Sequence, residues 1–336
     1  MVNKSGRQIA DDVPAFGVQT DRARIEIAAH GDHDENSLTF RSGKQSIAAH
    51  GTAAGEGPAA LQFLVNLAGE LSRGPVDLPC FPNIVIKIRE ALNDPRTTPE
   101  ETVKLVGAEP RLAGRLIQTA NSAAFNQSGV KVTELRTAIT RLGQQVVQAA
   151  AMSFAVQQMK DEPALRSIAG ELKELWKKSI TVASISQVVA RRTKVKPDEA
   201  FLTGLLHGIG RLYIMAHAVG KFAALSRDEE YAEVIASWHP SIGKSVLENW
   251  RVSEAMADSV GEQFNYDRGR SREPDLTDVL IVGVILAEAI NKEQSGLSEV
   301  TQLGSFRNIG LTEKDCETVL KHAEHQLDSL QEALGC

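Results

Sequence analysis

Thr98-Pro99-Glu100-Glu101 carries the signals of a helix start, and the chain on either side repeats the pattern. Thr98 is a capping side chain, and Pro99 takes the first helical position, where a missing N–H costs little. Glu101 is placed to reach back to the cap's own N–H. Just upstream, Asn93-Asp94-Pro95 is a turn, and before it Ile84, Val85, Ile88 and Leu92 share one helical face. That face is entered through Leu78-Pro79-Cys80-Phe81-Pro82, whose prolines enforce an extended backbone. Still earlier, Leu61, Leu64, Val65, Ala68 and Leu71 fall on one face, ended by Gly74-Pro75. Downstream, Glu109-Pro110 opens a helix with Leu112, Leu116 and Ile117 inward, which ends near Ala120-Asn121-Ser122. Thr133 is a candidate cap for the next helix, with Leu135, Ala138, Ile139 and Leu142 expected to be buried and Gly143 to break it.

The periodicity then predicts helices over 144–160, 164–192, 198–219, 228–238, 241–250, 253–265, 275–292 and 312–334. Pro163, Pro197, Pro240 and Pro274 sit at or near their starts. Strand signals nearly vanish after residue 60. The expected fold is therefore all-α, with non-heptad spacing that argues for a globular helical body over a coiled coil. Two packed helical subdomains, 61–160 and 161–275, are expected, followed by C-terminal helices over 276–336. Residues 1–60 are different: rich in Gly, Asp, His and Ser, without helical periodicity. Two short alternating stretches, Arg24-Ile25-Glu26-Ile27 and Leu38-Thr39-Phe40-Arg41, flank the turn-like cluster His30 to Asn36. A weak β-hairpin and a disordered segment both fit. Ile-Ala-Ala-His-Gly occurs at 27–31 and again at 47–51, either by chance or as a short strand repeat.

Composition bounds the function. The 336 residues, 42% of them hydrophobic, suffice for a large core and suggest about two domains. A net charge of −6 argues against a general nucleic-acid binder. No apolar run approaches the ~18 residues of a membrane span, and the first residues lack an apolar export core. Cys80, Cys316 and Cys336 form neither a disulfide framework nor a zinc motif, which fits a reducing cytoplasm. No phosphate-cradling glycine loop, nucleophile elbow or paired-cysteine motif is present, so no cofactor is implied.

From 78 to about 160 the chain resembles the opening of an HDOD domain, the HD-related output domain of bacterial signalling proteins. The matching residues are Leu78-Pro79 with Phe81-Pro82, Lys87-Ile88, Leu92-Asn93-Asp94-Pro95, Pro110, Leu112, Leu116 to Ala123 with Phe125, Leu135, Ala138-Ile139 and Leu142-Gly143. Glu109 stands where the family usually has Asp. To about 265, Leu175-Trp176 through Ser179, the run Gly204 to Gly210, and His239 with Gly243, Leu247 and Trp250 resemble the HD phosphohydrolase-like half of that family.

The resemblance also identifies departures. A working HD phosphohydrolase carries adjacent His and Asp ligands, the first a neutral nitrogen donor and the second an oxygen able to bridge metal ions. Here His207 is followed by Gly208, which has no ligand atom, and Arg211 takes the family's Lys position. The upstream ligand His of the family falls on Lys178, a cation that repels metal. Near Gly261-Glu262-Gln263 the paired histidines of metal-binding relatives are missing, although Glu262 offers an oxygen. Lys178, His207, Gly208 and His239 thus read as a degenerate former metal site holding no metal, with no catalytic residue. Lys178 and Arg211 are a candidate anion pocket for a nucleotide or cyclic dinucleotide. The expected function is a non-enzymatic bacterial signal-transduction output or adaptor protein acting through protein–protein contacts. The alternative is a metal-dependent phosphohydrolase of the HD superfamily with atypical ligands.

Elsewhere the plainer readings prevail. His30, Asp32, His33 and Asp34 read as a solvated loop, and His322 and His325 as part of a polar outer face. Arg191-Arg192-Thr193-Lys194-Val195-Lys196 reads as a basic helix C-terminus. Trp176, Trp238 and Trp250 read as packing anchors, and Cys80 as a small core residue.

Overall fold

The computed structural model describes residues 39–42, 45–48, 63–64, 66–67, 69–71, 78 and 82–334, apart from 127, 222–228, 267, 270–272 and 291–296. Two units result, Met1–Glu56 and Gly57–Cys336. In the first, β1 (Thr39–Ser42) pairs antiparallel with β2 (Gln45–Ala48), Thr39 opposite Ala48 and Ser42 opposite Gln45. The described hairpin joins 39–42 to the segment that follows it. The stretch 24–27, the His30 cluster and Cys80 lie outside the described residues.

The second unit is all-helical. Its first half holds α1 (Asn83–Asn93), α2 (Pro99–Gly107), α3 (Pro110–Asn121) and α4 (Leu135–Asp161). Thr98 caps α2 as its residue types dictate: its hydroxyl accepts from the Glu101 N–H, and Glu101 accepts from the Thr98 N–H at 2.8 Å. Glu109 still caps α3, accepting from the Arg111 N–H. Gly143 interrupts α4 with φ 72°, a conformation that costs glycine nothing, so the helix is two segments across a kink.

Pro163–Ile168 is a 3-10 turn leading into α5 (Ala169–Ala190), which forms the centre of the unit. Every residue from Val182 to Ala190 is buried. Small side chains make this possible. A Cβ on Gly204 of α6 (Pro197–Leu206) would stand 2.7 Å from the Ala183 Cα, so the two helices touch backbone to backbone. On another side α10 (Leu276–Ile290) sets Gly283 against Ser186.

The remaining helices are α7 (Ile209–Lys221), α8 (Glu229–Asn249), α9 (Glu254–Gly261), α11 (Leu297–Val300), α12 (Gly304–Ile309) and α13 (Glu313–Leu334). Several depart from the periodicity reading. The single helix expected over 198–219 is broken at His207-Gly208 into α6 and α7. The two expected on either side of Pro240 are one, α8, because Trp238, His239 and Ile242 are buried there and tertiary packing overrides the local penalty. The short helices α11 and α12 carry too few turns to show a periodicity.

The halves meet through side chains the sequence scatters. Phe125 packs edge-on to Phe201 at 5.5 Å. The Arg89 guanidinium lies 4.9 Å over the Trp250 ring, and Asn93 donates to the Trp250 carbonyl at 3.1 Å. Trp176, Trp238 and Trp250 are all buried. His322 and His325 are exposed on α13, and the basic run after α5 meets acids, with Arg192 on Asp315 and Lys194 on Glu273.

A candidate ligand cavity at the His207 junction

The α6–α7 break creates the site. His207 ends α6 and turns its ring back, donating from Nδ1 to the Gly204 carbonyl at 2.7 Å. A carbonyl can only accept, so this bond fixes the proton on Nδ1. Three residues on, Gly210 crosses Gly243 of α8. A Cβ at 210 would overlap the His239 carbonyl oxygen and stand 2.5 Å from the Gly243 nitrogen. This close crossing brings His239 alongside His207.

Around the two imidazoles lies a cavity of about 270 Å³. Lys178 of α5, Gly208, Arg211 of α7 and Glu288 of α10 form part of its wall, with Gln263 and Phe264 following α9. Five of the residues singled out from sequence, Lys178, His207, Gly208, Arg211 and His239, therefore face one space. His217 does not: it bonds the Tyr213 carbonyl and pairs with Glu70 at 3.1 Å. Glu262 does not line it either, because its carboxylate turns to Arg268 at 3.2 Å.

Gln263, Phe264 and Glu288 carried no sequence signal of their own as cavity residues. Glu288 changes the electrostatics expected from Lys178. The ammonium is 2.9 Å from its carboxylate, so the charge at 178 is matched. Arg211 is exposed and makes no hydrogen bond or ion pair among the described residues. Both imidazoles are buried and neutral at pH 7. Burial pushes His207 down to about 4, with Lys178 and Arg211 adding to the push, while the Gly204 bond and Glu288 oppose it. Burial also pushes His239 down to about 3, helped by His207, Arg211 and Lys178.

Two buried polar atoms on the wall lack partners among the described residues: His239 Nδ1 and Gln263 Oε1. Gln263 Nε2 donates to the carbonyls of Val260 (2.8 Å) and His207 (3.2 Å), which settles the amide's orientation and leaves Oε1 as a pure acceptor. Phe264 stands edge-on to His239 at 5.5 Å.

The HD resemblance implies a divalent metal here, and the donors do not fit one. Among the described residues no three His, Cys, Asp or Glu side chains gather within reach of one ion. Gly208 is not held by its backbone, since its φ is not left-handed. A Cβ there would press on the Leu175 Cδ1 at 2.9 Å, a contact one rotamer change relieves.

An all-helical body with a central buried helix and a histidine-walled cavity at a helix break is the HD-like class of fold. Residues 78–266 match the family model of the HDOD domain, and the chain belongs to that family. Solved structures agree on the fold. One from Shewanella amazonensis SB2B, described as "Putative metal-dependent phosphohydrolase", is 19% identical with a TM-score of 0.65, covering 82% of this chain and 99% of that one. An HDOD domain protein of unknown function from Geobacter sulfurreducens is 19% identical with a TM-score of 0.53, covering 82% and 96%. A "Putative signal transduction protein" from Marinobacter aquaeolei VT8 is 17% identical with a TM-score of 0.53, covering 88% and 70%. An uncharacterised protein of Treponema pallidum (strain Nichols) is 20% identical over 210 residues, 59% of this chain, and the chain spans 40% of that relative's length. No helix among the described residues is long and apolar enough to cross a membrane.

Proposed function

We propose that the chain is a non-enzymatic output or adaptor module of a bacterial signalling pathway, working in the cytoplasm through contacts with protein partners. The observation that carries the reading is the donor set. Two neutral imidazoles share their cavity with an ammonium and the Glu288 carboxylate it pairs with, and the residue after His207 is Gly208, which offers no carboxylate. Hydrolysis in the HD manner needs ions held by several anionic and imidazole ligands to make a nucleophile from water. Membership of the HDOD family and a fold shared with a protein described as a signal transducer support the same conclusion.

The joint between the halves, where Arg89 covers Trp250 and Phe125 meets Phe201, is the element a partner would bias, because packed interfaces shift between discrete arrangements. The test is metal content and turnover together. Protein purified without chelator is expected to carry well under one equivalent of manganese, iron or zinc and to leave nucleotides and cyclic dinucleotides intact. Stoichiometric metal with hydrolysis abolished by His207→Ala would instead establish an atypical phosphohydrolase. A pull-down from the native cell, comparing the full chain with one starting at Leu61, then assigns the partner-binding surface.

A further inference from the structure

The cavity is built to receive something. Its interior offers two buried polar atoms without partners among the described residues, His239 Nδ1 and Gln263 Oε1, and an unpaired buried polar group is costly. Its outer wall carries Arg211, which has no partner among the described residues. The same wall, through Leu175, Lys178, Arg211, Ala232 and Ile235, also borders a larger groove of about 1000 Å³ toward Met215, Val219 and Tyr231. The smaller space lies just below, and the larger at the top of, the range of small-molecule sites, roughly 300–1,000 Å³. With both imidazoles neutral and Lys178 matched by Glu288, the charge left over in the smaller cavity is the positive one of Arg211, while the groove beyond it adds Glu171 and Glu174, the latter paired with Lys177.

These features define a ligand with two ends. The inner end must donate a hydrogen bond to Gln263 Oε1, which can only accept, and must also meet the ring nitrogen of His239. It must be flat or apolar enough to lie against Phe264 and Leu175. The outer end must be anionic and suited to a guanidinium fork. Nucleobases with an exocyclic amino group place a donor beside an acceptor on one edge, and their phosphate supplies the anion. We propose that this cavity binds a mononucleotide whose base carries an exocyclic amino group, the amino group directed at Gln263 and His239 and the phosphate at Arg211. The inference is independent of the adaptor reading, since it asks for binding without turnover and needs no partner protein.

Calorimetry on the full chain with AMP, IMP, adenosine and inorganic phosphate tests it. AMP is expected to bind. IMP, which sets a carbonyl against the Gln263 oxygen, is expected to bind at least tenfold more weakly, as are adenosine and phosphate, each of which keeps one end only. Arg211 and Ala236 are both exposed on the wall, so Arg211→Gln and Ala236→Phe should unfold at the temperature of the parent. Arg211→Gln is expected to weaken AMP at least tenfold, and Ala236→Phe to abolish binding by filling the entrance. The proposal is overturned if AMP does not bind at millimolar concentration and water alone fills the cavity. It fails equally if IMP or phosphate binds as well as AMP, or if both variants bind AMP like the parent.

Discussion

His207 and His239 make stability depend on pH in a window that the other strongly shifted groups leave clear. Their folded values of about 4 and about 3 lie below the 6.5 of an unfolded histidine. Between those limits the unfolded chain binds protons that the folded chain refuses, so stability is full above pH 6.5 and falls as pH drops toward 4. The groups facing the pair are Lys178 from α5, Arg211 from α7 and Glu288 from α10, and the first two oppose a proton on either ring. Asp94 and Asp315, held down to about 2 by their hydrogen bonds and arginine partners, act only below pH 4. Urea titrations at pH 7 and pH 4.5 should therefore differ by a few kcal/mol. His239→Asn should shrink that difference while lowering stability at pH 7. A second expectation at this scale concerns Gly210, whose missing side chain lets α7 and α8 touch. Gly210→Ala should cost at least about 3 kcal/mol, because backbone atoms stand where the methyl group would go. Gly208→Ala, which meets only side-chain atoms of Leu175 and Ser179, should cost under about 1.5 kcal/mol. Denaturant midpoints of the two variants check the contrast.

Several elements were legible from local chemistry, although α4 starts after Glu134 with no side-chain cap and Thr133 does not cap it. The Thr98 capping box, the proline at the start of α2 and the Gly143 break are local, and they stand where the residues place them. Thr98→Ala should lower stability by about 1 kcal/mol, and Thr98→Ser by much less, on the same denaturation assay. Elements set by tertiary contact were not legible. Nothing in Leu205-Leu206-His207-Gly208-Ile209 distinguishes one continuous helix from two, because each residue is compatible with helix; the break follows from the crossing at Gly210 and Gly243. Pro240 argues locally for a helix start, yet it sits inside α8, flanked by buried Trp238 and Ile242. The site divides the same way. Lys178, His207, Gly208, Arg211 and His239 were found because their residue types depart from or retain a ligand pattern. Gln263 and Glu288 escaped because an amide oxygen without a partner, and a carboxylate matched to a distant lysine, exist only once helices are packed.

At the scale of the whole molecule, the family match ends at residue 266 while the packing does not. Leu276, Val279, Leu280, Ile281, Val282, Val284 and Leu286 of α10 are all buried, beside α5. Asp278, fully buried, takes a hydrogen bond from Ser305 at 2.9 Å and an ion pair with Arg268 at 2.8 Å, tying α10 to α12 and to the segment after α9. At the end of α13 the Leu334 carbonyl accepts from Ser153 (2.7 Å), Gln157 (2.8 Å) and Arg115 (3.0 Å). The last helix is thereby bound to α3 and α4 of the first half, as well as packed on α5. A sequence division at 275 separates helices that share one core. Burying the apolar side chains of α10 alone contributes on the order of 10–20 kcal/mol before entropy, comparable to the ~5–15 kcal/mol net stability of a typical domain. A chain ending at Tyr266 should therefore keep helical circular dichroism but lose its near-ultraviolet signal and bind ANS, the behaviour of a collapsed body without fixed packing. A chain ending at Leu334 should match the full one. If the Tyr266-terminated chain instead unfolds cooperatively with a sharp near-ultraviolet transition, the matched segment is an autonomous domain and the C-terminal helices are an accessory to it.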